Sequence, residues 1–396
     1  SIASANILKA VSHGTLKIWQ DLNDFVEETT CPKSFAILAL GSALIALLFS
    51  AIAFLDSVGT IFNAWDAVLS WNRWATNWLA GSYPEYPNGY PQLVPTNWSL
   101  CYMIQGDALQ FVPKLSVGLY MFGILLAFID LALLLRSAGM MAAAPICAWL
   151  VNNVEIDKYG GDVDLAVTFM AFSSFHCLLR ATKAADVSEF KRMLIASSTL
   201  AAATAATKQA GLFFFIMIIP IAWLLLRKRM KAFNFKLKDG LRHIALHIGL
   251  AILIAAPCYI CAKYMVMHGR DRYKVQYVTK GIYGDRGYAE RAIISSKMFF
   301  LRLELGMHDI LGARWTRVEM DKGFEGFVAF FEPYRALAAL TAAVTLLLLI
   351  YSGTAGGLGL WPLVFIALPL TFIWSIFYCY DLRNLTSALP FLSLSL

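Results

Sequence analysis

Apolar runs of membrane-spanning length recur along this chain, and that recurrence leaves few folds open to it. About 20 predominantly apolar residues in a helix cross ~30 Å of hydrocarbon, because every backbone N–H and C=O must be satisfied within the segment. Such runs read near Ser34–Leu55, Leu115–Leu135, Ala138–Val154, Asp164–Leu179 and Met193–Ala206. Others follow near Gly211–Leu226, Leu241–Ala262, Tyr334–Tyr351 and Leu360–Phe377, with a further start at Leu385. The third and fifth are short and rich in small residues, as expected of helices packed on neighbours rather than on lipid. The predicted fold class is all-α: a polytopic integral membrane protein with about ten transmembrane helices. Hydrophobic residues at 59% against charged ones at 15% agree with it.

One transmembrane domain is expected over 1–396, with an amphipathic cytoplasmic segment at 1–33 and a long outer segment at 263–332. The first outer loop, 56–113, is expected to carry interfacial helices. No internal repeat is visible. The first residues show no signal-peptide cleavage pattern, and the last ones break off inside an apolar run, so the native chain is expected to continue beyond residue 396.

The net charge of +7 suggests a nucleic-acid partner only until its placement is considered. Arg180, Lys183, Lys191 and Arg192 flank one short loop, and Arg227, Lys228, Arg229, Lys231, Lys236, Lys238 and Arg242 fill another. Basic residues in short loops mark the cytoplasmic side. Counting spans outward, the Asp66 loop, the Asn152–Asp162 turn, the Lys208 turn, the 263–332 segment and the Tyr378–Asn384 turn all fall on the other side. The unusual polar clusters thus collect on one face. Seven cysteines lie largely in apolar segments and form no disulfide framework, and the Cys258–Cys261 pair reads as core packing.

The loop after the first span, Asn63 to Pro95, is the most informative. On a helix at ~100° per residue, Asp66, Ser70, Arg73 and Asn77 share one face and Trp71, Trp74 and Trp78 the neighbouring one. Such a helix is expected to lie flat on the membrane with its indoles at headgroup depth and its polar groups toward a cavity. Asp66 is then an acid at the water–lipid boundary; an Asn63–Asp66 capping pair would explain it equally well. Tyr83, Tyr86 and Tyr90 among Pro84, Pro87, Pro91 and Pro95 suggest a stiff aromatic lining or an ordinary rigid loop.

Asp162 and Asp164 follow a Gly160–Gly161 pair at a span entrance. They suit helix capping, acceptor positioning, or oxygen ligation of a divalent cation, with Asn152, Asn153, Glu155 and Asp157 nearby. Lys208 sits in a turn on the side where short loops avoid basic residues; it either snorkels or meets a lipid phosphate. Tyr378, Tyr380, Asp381, Arg383 and Asn384 form a last polar knot, in which Arg383 suits phosphate or an internal pair with Asp381. His308, Asp309, Arg314, Trp315 and Arg317 suggest substrate recognition in the long outer segment.

These pieces in this order resemble the GT-C superfamily of polyprenyl-phosphate-dependent glycosyltransferases. The nearer branch includes lipid A aminoarabinose transferases, protein O-mannosyltransferases and lipopolysaccharide-core transferases. Asp66 precedes Tyr90-Pro91-Gln92-Leu93, similar to the family's acid followed by Tyr-Pro-Pro-Leu. Asp162-Val163-Asp164-Leu165-Ala166 is similar to its Asp-x-Pro-Leu-Ala, Thr207 to Gly211 to its Thr-Lys-x-x-Gly, and Arg383 to Pro390 to its late Arg-led run. Ala67 stands where the family often has a second acid, which weighs against a metal in this loop. Gln92 and Asp164 stand where prolines are usual.

The resemblance implies sugar transfer from a polyprenyl-phosphate donor to a hydroxyl or amine of a lipid, glycan or protein acceptor, with inversion. It places the enzyme in the bacterial inner membrane, its site toward the periplasm. Asp66 is the implied base and Asp162 its support, with Lys208 and Arg383 on the phosphate. Asp164, Arg73, Tyr90 and Asn384 complete the substrate contacts. A divalent cation on Asp162 and Asp164 is compatible with this chemistry but not required by it. Partners are membrane lipids and these substrates, not nucleic acid. A transporter or lipid flippase is the rival expectation, since charges facing a cavity serve passage too.

Overall fold

The computed structural model describes residues 18, 20–29, 31–64, 66–84, 90–154, 159–267, 287, 360–373 and 382–394. The expected span Tyr334–Tyr351, the long outer segment after Met267, the cluster from His308 to Arg317, and Tyr86, Glu155, Asp157, Tyr378, Tyr380 and Asp381 lie outside the described residues. Within them the protein is all-α. Helices α1 (Lys33–Ser57), α4 (Phe111–Leu135), α5 (Ala138–Val154), α6 (Asp164–Thr182), α7 (Val187–Thr207), α8 (Gln209–Ala232) and α9 (Leu237–Met267) carry the apolar runs. Between α1 and α4 the first loop folds as a π turn, Ala67–Trp71, followed by α2 (Asn72–Leu79) and α3 (Leu93–Gln105). A composite helix α10 (Leu360–Pro362, Leu363–Ala367 and Leu368–Ile373) precedes a 3-10 helix, Leu382–Ala388, and α11 (Leu389–Ser393).

Among the described residues, five helices are long and apolar enough to cross a membrane: α1, α4, α6, α8 and α9. Their burial divides them by position. The apolar stretch of α6 is 61% buried and that of α9 only 11%, so among the described residues α6 is central and α9 peripheral. Both helices read as short and small-residue-rich are interior: α5 buries Ala138, Ala143, Ala144 and Cys147, and α7 buries Ala201, Ala202, Ala205 and Ala206. Lipid is as apolar as leucine, so association here comes from close packing. The face of α1 toward α5 follows the same rule, with Ala36, Ala39, Ala43 and Ser50 spaced by whole turns, while Leu38, Leu48 and Phe49 face outward.

The C-terminal helix α11 is wedged among its neighbours. Phe391 lies 5.9 Å from Phe172, 5.7 Å from Phe175 and 5.8 Å from Phe214, ring to ring, and is fully buried. Rings that meet edge-on or offset at this range add to the dispersion gained by filling the space. This wedge between α6 and α8 carries the preceding 3-10 turn to the end of α7.

At the opposite end, Arg136 anchors the segment 20–28: its guanidinium donates to the Asp21 carbonyl at 3.0 Å and pairs with Asp24 and Glu28. A charged cluster beside it overturns the expectation that every unusual polar cluster lies on one face. His176 Nε2 is 2.7 Å from Asp130 Oδ2, and Arg180 donates to both Asp130 oxygens at 2.8 Å, joining α4 to α6. Asp130 and His176 sit inside apolar runs, where an ionisable residue is rare enough to be a signal.

Candidate active site

Lys208 is the single extended residue between two helices, with φ −152° and ψ 154°. Gly211 makes the junction possible: a Cβ there would overlap the Thr204 carbonyl, so only glycine lets the first turn of α8 close on the last turn of α7. Gly211 N–H then donates to the Lys208 carbonyl at 2.9 Å, and the Thr207 hydroxyl ties back to Ala203 at 2.8 Å. Each residue matched to the Thr-Lys-x-x-Gly pattern therefore has a local task.

The lysine neither snorkels nor faces open water. Its ammonium lies 2.5 Å from Asp164 Oδ1 and donates to Asn384 Oδ1 at 2.8 Å. The Lys208 and Asp164 side chains are 12% and 11% exposed. Asp164 opens α6, where the helix N-terminus favours a carboxylate. Three stretches far apart in sequence thus meet at one point. An ion pair removed from water is held only when geometry and extra hydrogen bonds offset desolvation. Asn384 supplies one such bond.

Asp162, 1% exposed, is joined to this point through the backbone. The amides of Asn63 and Ala64 both donate to the Gly160 carbonyl at 3.2 Å, stapling the start of the Asp66 loop to the Asp162 turn. Gly161 has φ +108°, and a Cβ there would overlap the Phe62 ring and stand 2.8 Å from Ala67. The close approach is what places Asp66, next to Ala67, against the entrance of α6. Asp66 itself is half-buried and directly precedes the π turn.

The aromatic loop corrects another expectation. Trp71 and Trp74 are 4% and 2% exposed, packed into protein rather than turned out toward headgroups. Their partners are Phe62, Trp98 and Tyr102, the last two from α3, a helix the sequence pattern did not reveal. Trp71 meets Trp74 at 4.8 Å and Tyr90 at 5.3 Å, ring to ring. The Tyr102 hydroxyl donates to Asn72 Oδ1 at 2.5 Å, and burial pushes that phenol well above its ordinary pKa, so it stays a neutral donor. Gln92, the departure from the family's second proline, has a role that the motif did not suggest. Its Oε1 accepts from Trp78 Nε1 at 3.3 Å while its Nε2 donates to the Tyr90 carbonyl at 2.9 Å, holding the aromatic group together.

The sequence-derived candidates thus separate. Asp164, Lys208 and Asn384 converge; Asp162 and Asp66 are held alongside through Gly160 and Gly161; Arg383 precedes Asn384 in the 3-10 helix. Tyr90 is part of the aromatic packing, and Arg73 is exposed on α2. As a metal centre the acids fit poorly: Asp164 is engaged by an ammonium, and among the described residues no three His, Cys, Asp or Glu side chains are grouped to hold an ion.

A solved structure shares this arrangement of helices: that of ArnT from Cupriavidus metallidurans bound to undecaprenyl phosphate, with a TM-score of 0.50 and 14% sequence identity. The fold is GT-C-like. The match covers 92% of this chain and 60% of ArnT, so the chain spans less than two thirds of ArnT's length. No protein-family model matches the chain, and no curated protein sequence does. The resemblance read from four short motifs is therefore borne out in the fold. The GT-C-like architecture sets the Asp66 loop and the entrances of α6 and α8 at one end of the bundle.

Proposed function

We propose that this protein is a membrane glycosyltransferase that moves a sugar from a polyprenyl phosphate to an acceptor hydroxyl or amine. The convergence of Asp164, Lys208 and Asn384 beside the stapled Asp66 loop, in a GT-C-like fold, carries the proposal. The undecaprenyl phosphate bound to ArnT supports the donor class by analogy of fold.

Asp66 takes the acceptor's proton as its oxygen or nitrogen attacks the anomeric carbon. The carbon–oxygen bond to the phosphate breaks on the opposite face, so the configuration inverts and polyprenyl phosphate leaves. Charge gathers on that phosphate, and Lys208 with Arg383 answers it. Asp164 and Asn384 hold the Lys208 ammonium in position before the donor arrives, which removes a reorganisation cost from the reaction. Asp162 supports Asp66 or the acceptor. We place this site on the periplasmic face of a bacterial inner membrane, in a bundle of about ten spans.

The test is transfer of labelled sugar from a polyprenyl-phosphate sugar by the purified protein in nanodiscs, alongside translocation of the same lipid in proteoliposomes. Transfer to an added acceptor supports the enzyme. Translocation without any sugar leaving the carrier would replace it with a flippase.

A further inference from the structure

Lys114 is a buried charge that the proposed reaction does not use. It lies in the first turn of α4, 3% exposed, and makes no ion pair among the described residues. Its ammonium donates to Thr60 Oγ1 at 2.7 Å and to the Ile61 carbonyl at 2.5 Å, and sits 5.9 Å from the centre of the Phe62 ring. An ammonium carries three donors and a full positive charge. Among the described residues, two neutral oxygens and a ring face leave one N–H and most of the charge unanswered, and a cation withdrawn from water is normally paired.

The same lysine lines an open cleft of about 390 Å³. That volume lies within the ~300–1,000 Å³ typical of small-molecule sites and far above the ~30 Å³ of one water. Hydroxyls or amides of Ser57, Thr60, Asn63 and Tyr159 share the wall, and the rim acid Asp56 is exposed, beyond ion-pair distance of Lys114. Asn63 and Gly160, which staple the Asp66 loop to the Asp162 turn, form one side of the cleft.

We propose that the Lys114 cleft is an oxyanion site that takes a phosphate or carboxylate group at the same end of the bundle as Asp66. The chemistry is that of a buried ammonium beside the Asn63 amide, since the Ser57, Thr60 and Tyr159 hydroxyls already donate to the Phe54, Ser57 and Ser50 carbonyls. Its closeness to the stapled loop suits an anionic group on the acceptor, a clause that rests on the transferase proposal. The anion site itself does not, and its test uses no transfer assay.

Inorganic phosphate is titrated onto the purified full chain in neutral detergent and followed by phosphorus NMR line broadening. Retention of phosphatidic acid against phosphatidylcholine is followed separately by native mass spectrometry. Saturable phosphate broadening marks a site for the free ion, and selective retention of phosphatidic acid a site for a lipid headgroup. Either should fall at least tenfold in affinity in Lys114→Met and persist in Lys114→Arg. Asp56→Asn, at an exposed position, should tighten binding roughly two- to fivefold by removing a like charge from the rim. It keeps the proposal testable if Lys114→Met does not fold. No saturable binding in either arm, or binding indifferent to both substitutions, would overturn the proposal and leave Lys114 a hydrated structural lysine.

Discussion

Asp66 separates two explanations that one substitution distinguishes. Asparagine has nearly the size of aspartate and ranks with it as a helix cap, but it takes no proton from an acceptor. Asp66→Asn is expected to lower turnover by ~10²–10⁴-fold, with donor affinity and melting temperature nearly unchanged. Transfer at near wild-type rate would remove Asp66 from the chemistry. Lys208 calls for a different design, because its ammonium is held by a buried carboxylate. Lys208→Met strands Asp164 and should cost ~3–5 kcal/mol of stability, much of it recovered in the Lys208→Met, Asp164→Leu double variant. Donor affinity should be lost in both variants and kept or tightened in Asp164→Asn, which removes the competing anion while keeping an acceptor. Binding of polyprenyl phosphate to all three proteins checks this; equal affinity throughout would make the pair purely structural. The sequence announced Lys208 through its position in an outer turn. It did not announce the partner, because Asp164 and Asn384 reach it only through the packing of α6 and the Phe391 wedge.

Among the elements, the long apolar helices and the Asp66–Asn77 helix of the first loop were legible, and α3 was not. Spacing and composition identify α1, α4 and α6 to within about a turn and α8 to within two, because each has a continuous apolar run. Helix α3 went unread for a physical reason. Pro95 reads as the end of a stiff loop, yet it lies in the first turn of Leu93–Gln105, where a proline interrupts no hydrogen bond. Without α3 the tryptophans had no visible partner but lipid. The Gly160–Gly161 turn is the element that most directly transmits position to Asp66, and Gly161 is its sensitive residue. Gly161→Ala adds a Cβ at φ +108° against Phe62 and Ala67 and should cost at least ~1–3 kcal/mol of backbone strain beyond the clash. Gly59→Ala, at φ +82° with open space around it, is the matched control and should carry the backbone cost alone. Thermal unfolding and turnover of both variants check the contrast. The Gly161 variant is expected to lose activity disproportionately, since it displaces the loop that carries the base. Equal losses in the two would mean that the staple does not position Asp66.

At the scale of the whole molecule, the proposed function depends on which end of the bundle faces the cytoplasm. Contacts place the Asp66 loop, the entrance of α6 and the Lys208 junction together. Arg136, His176, Arg180 and the start of α7 lie at the other end, beyond the length of α6. The basic loops 183–192 and 227–242 belong to that second end, and short loops rich in lysine and arginine are retained in the cytoplasm. The site end is therefore expected outside. Single cysteines introduced into a variant lacking all seven native ones would report this directly. A cysteine at Ser82, in the first outer loop, should react with a membrane-impermeant maleimide on intact spheroplasts. One at Asn234, between α8 and α9, should react only after the membrane is opened. The reverse pattern would put the Asp66 loop in the cytoplasm. A lumenal or periplasmic transferase would then be ruled out, while the ion pair, the staple and the Lys114 cleft would remain as geometry in need of another function.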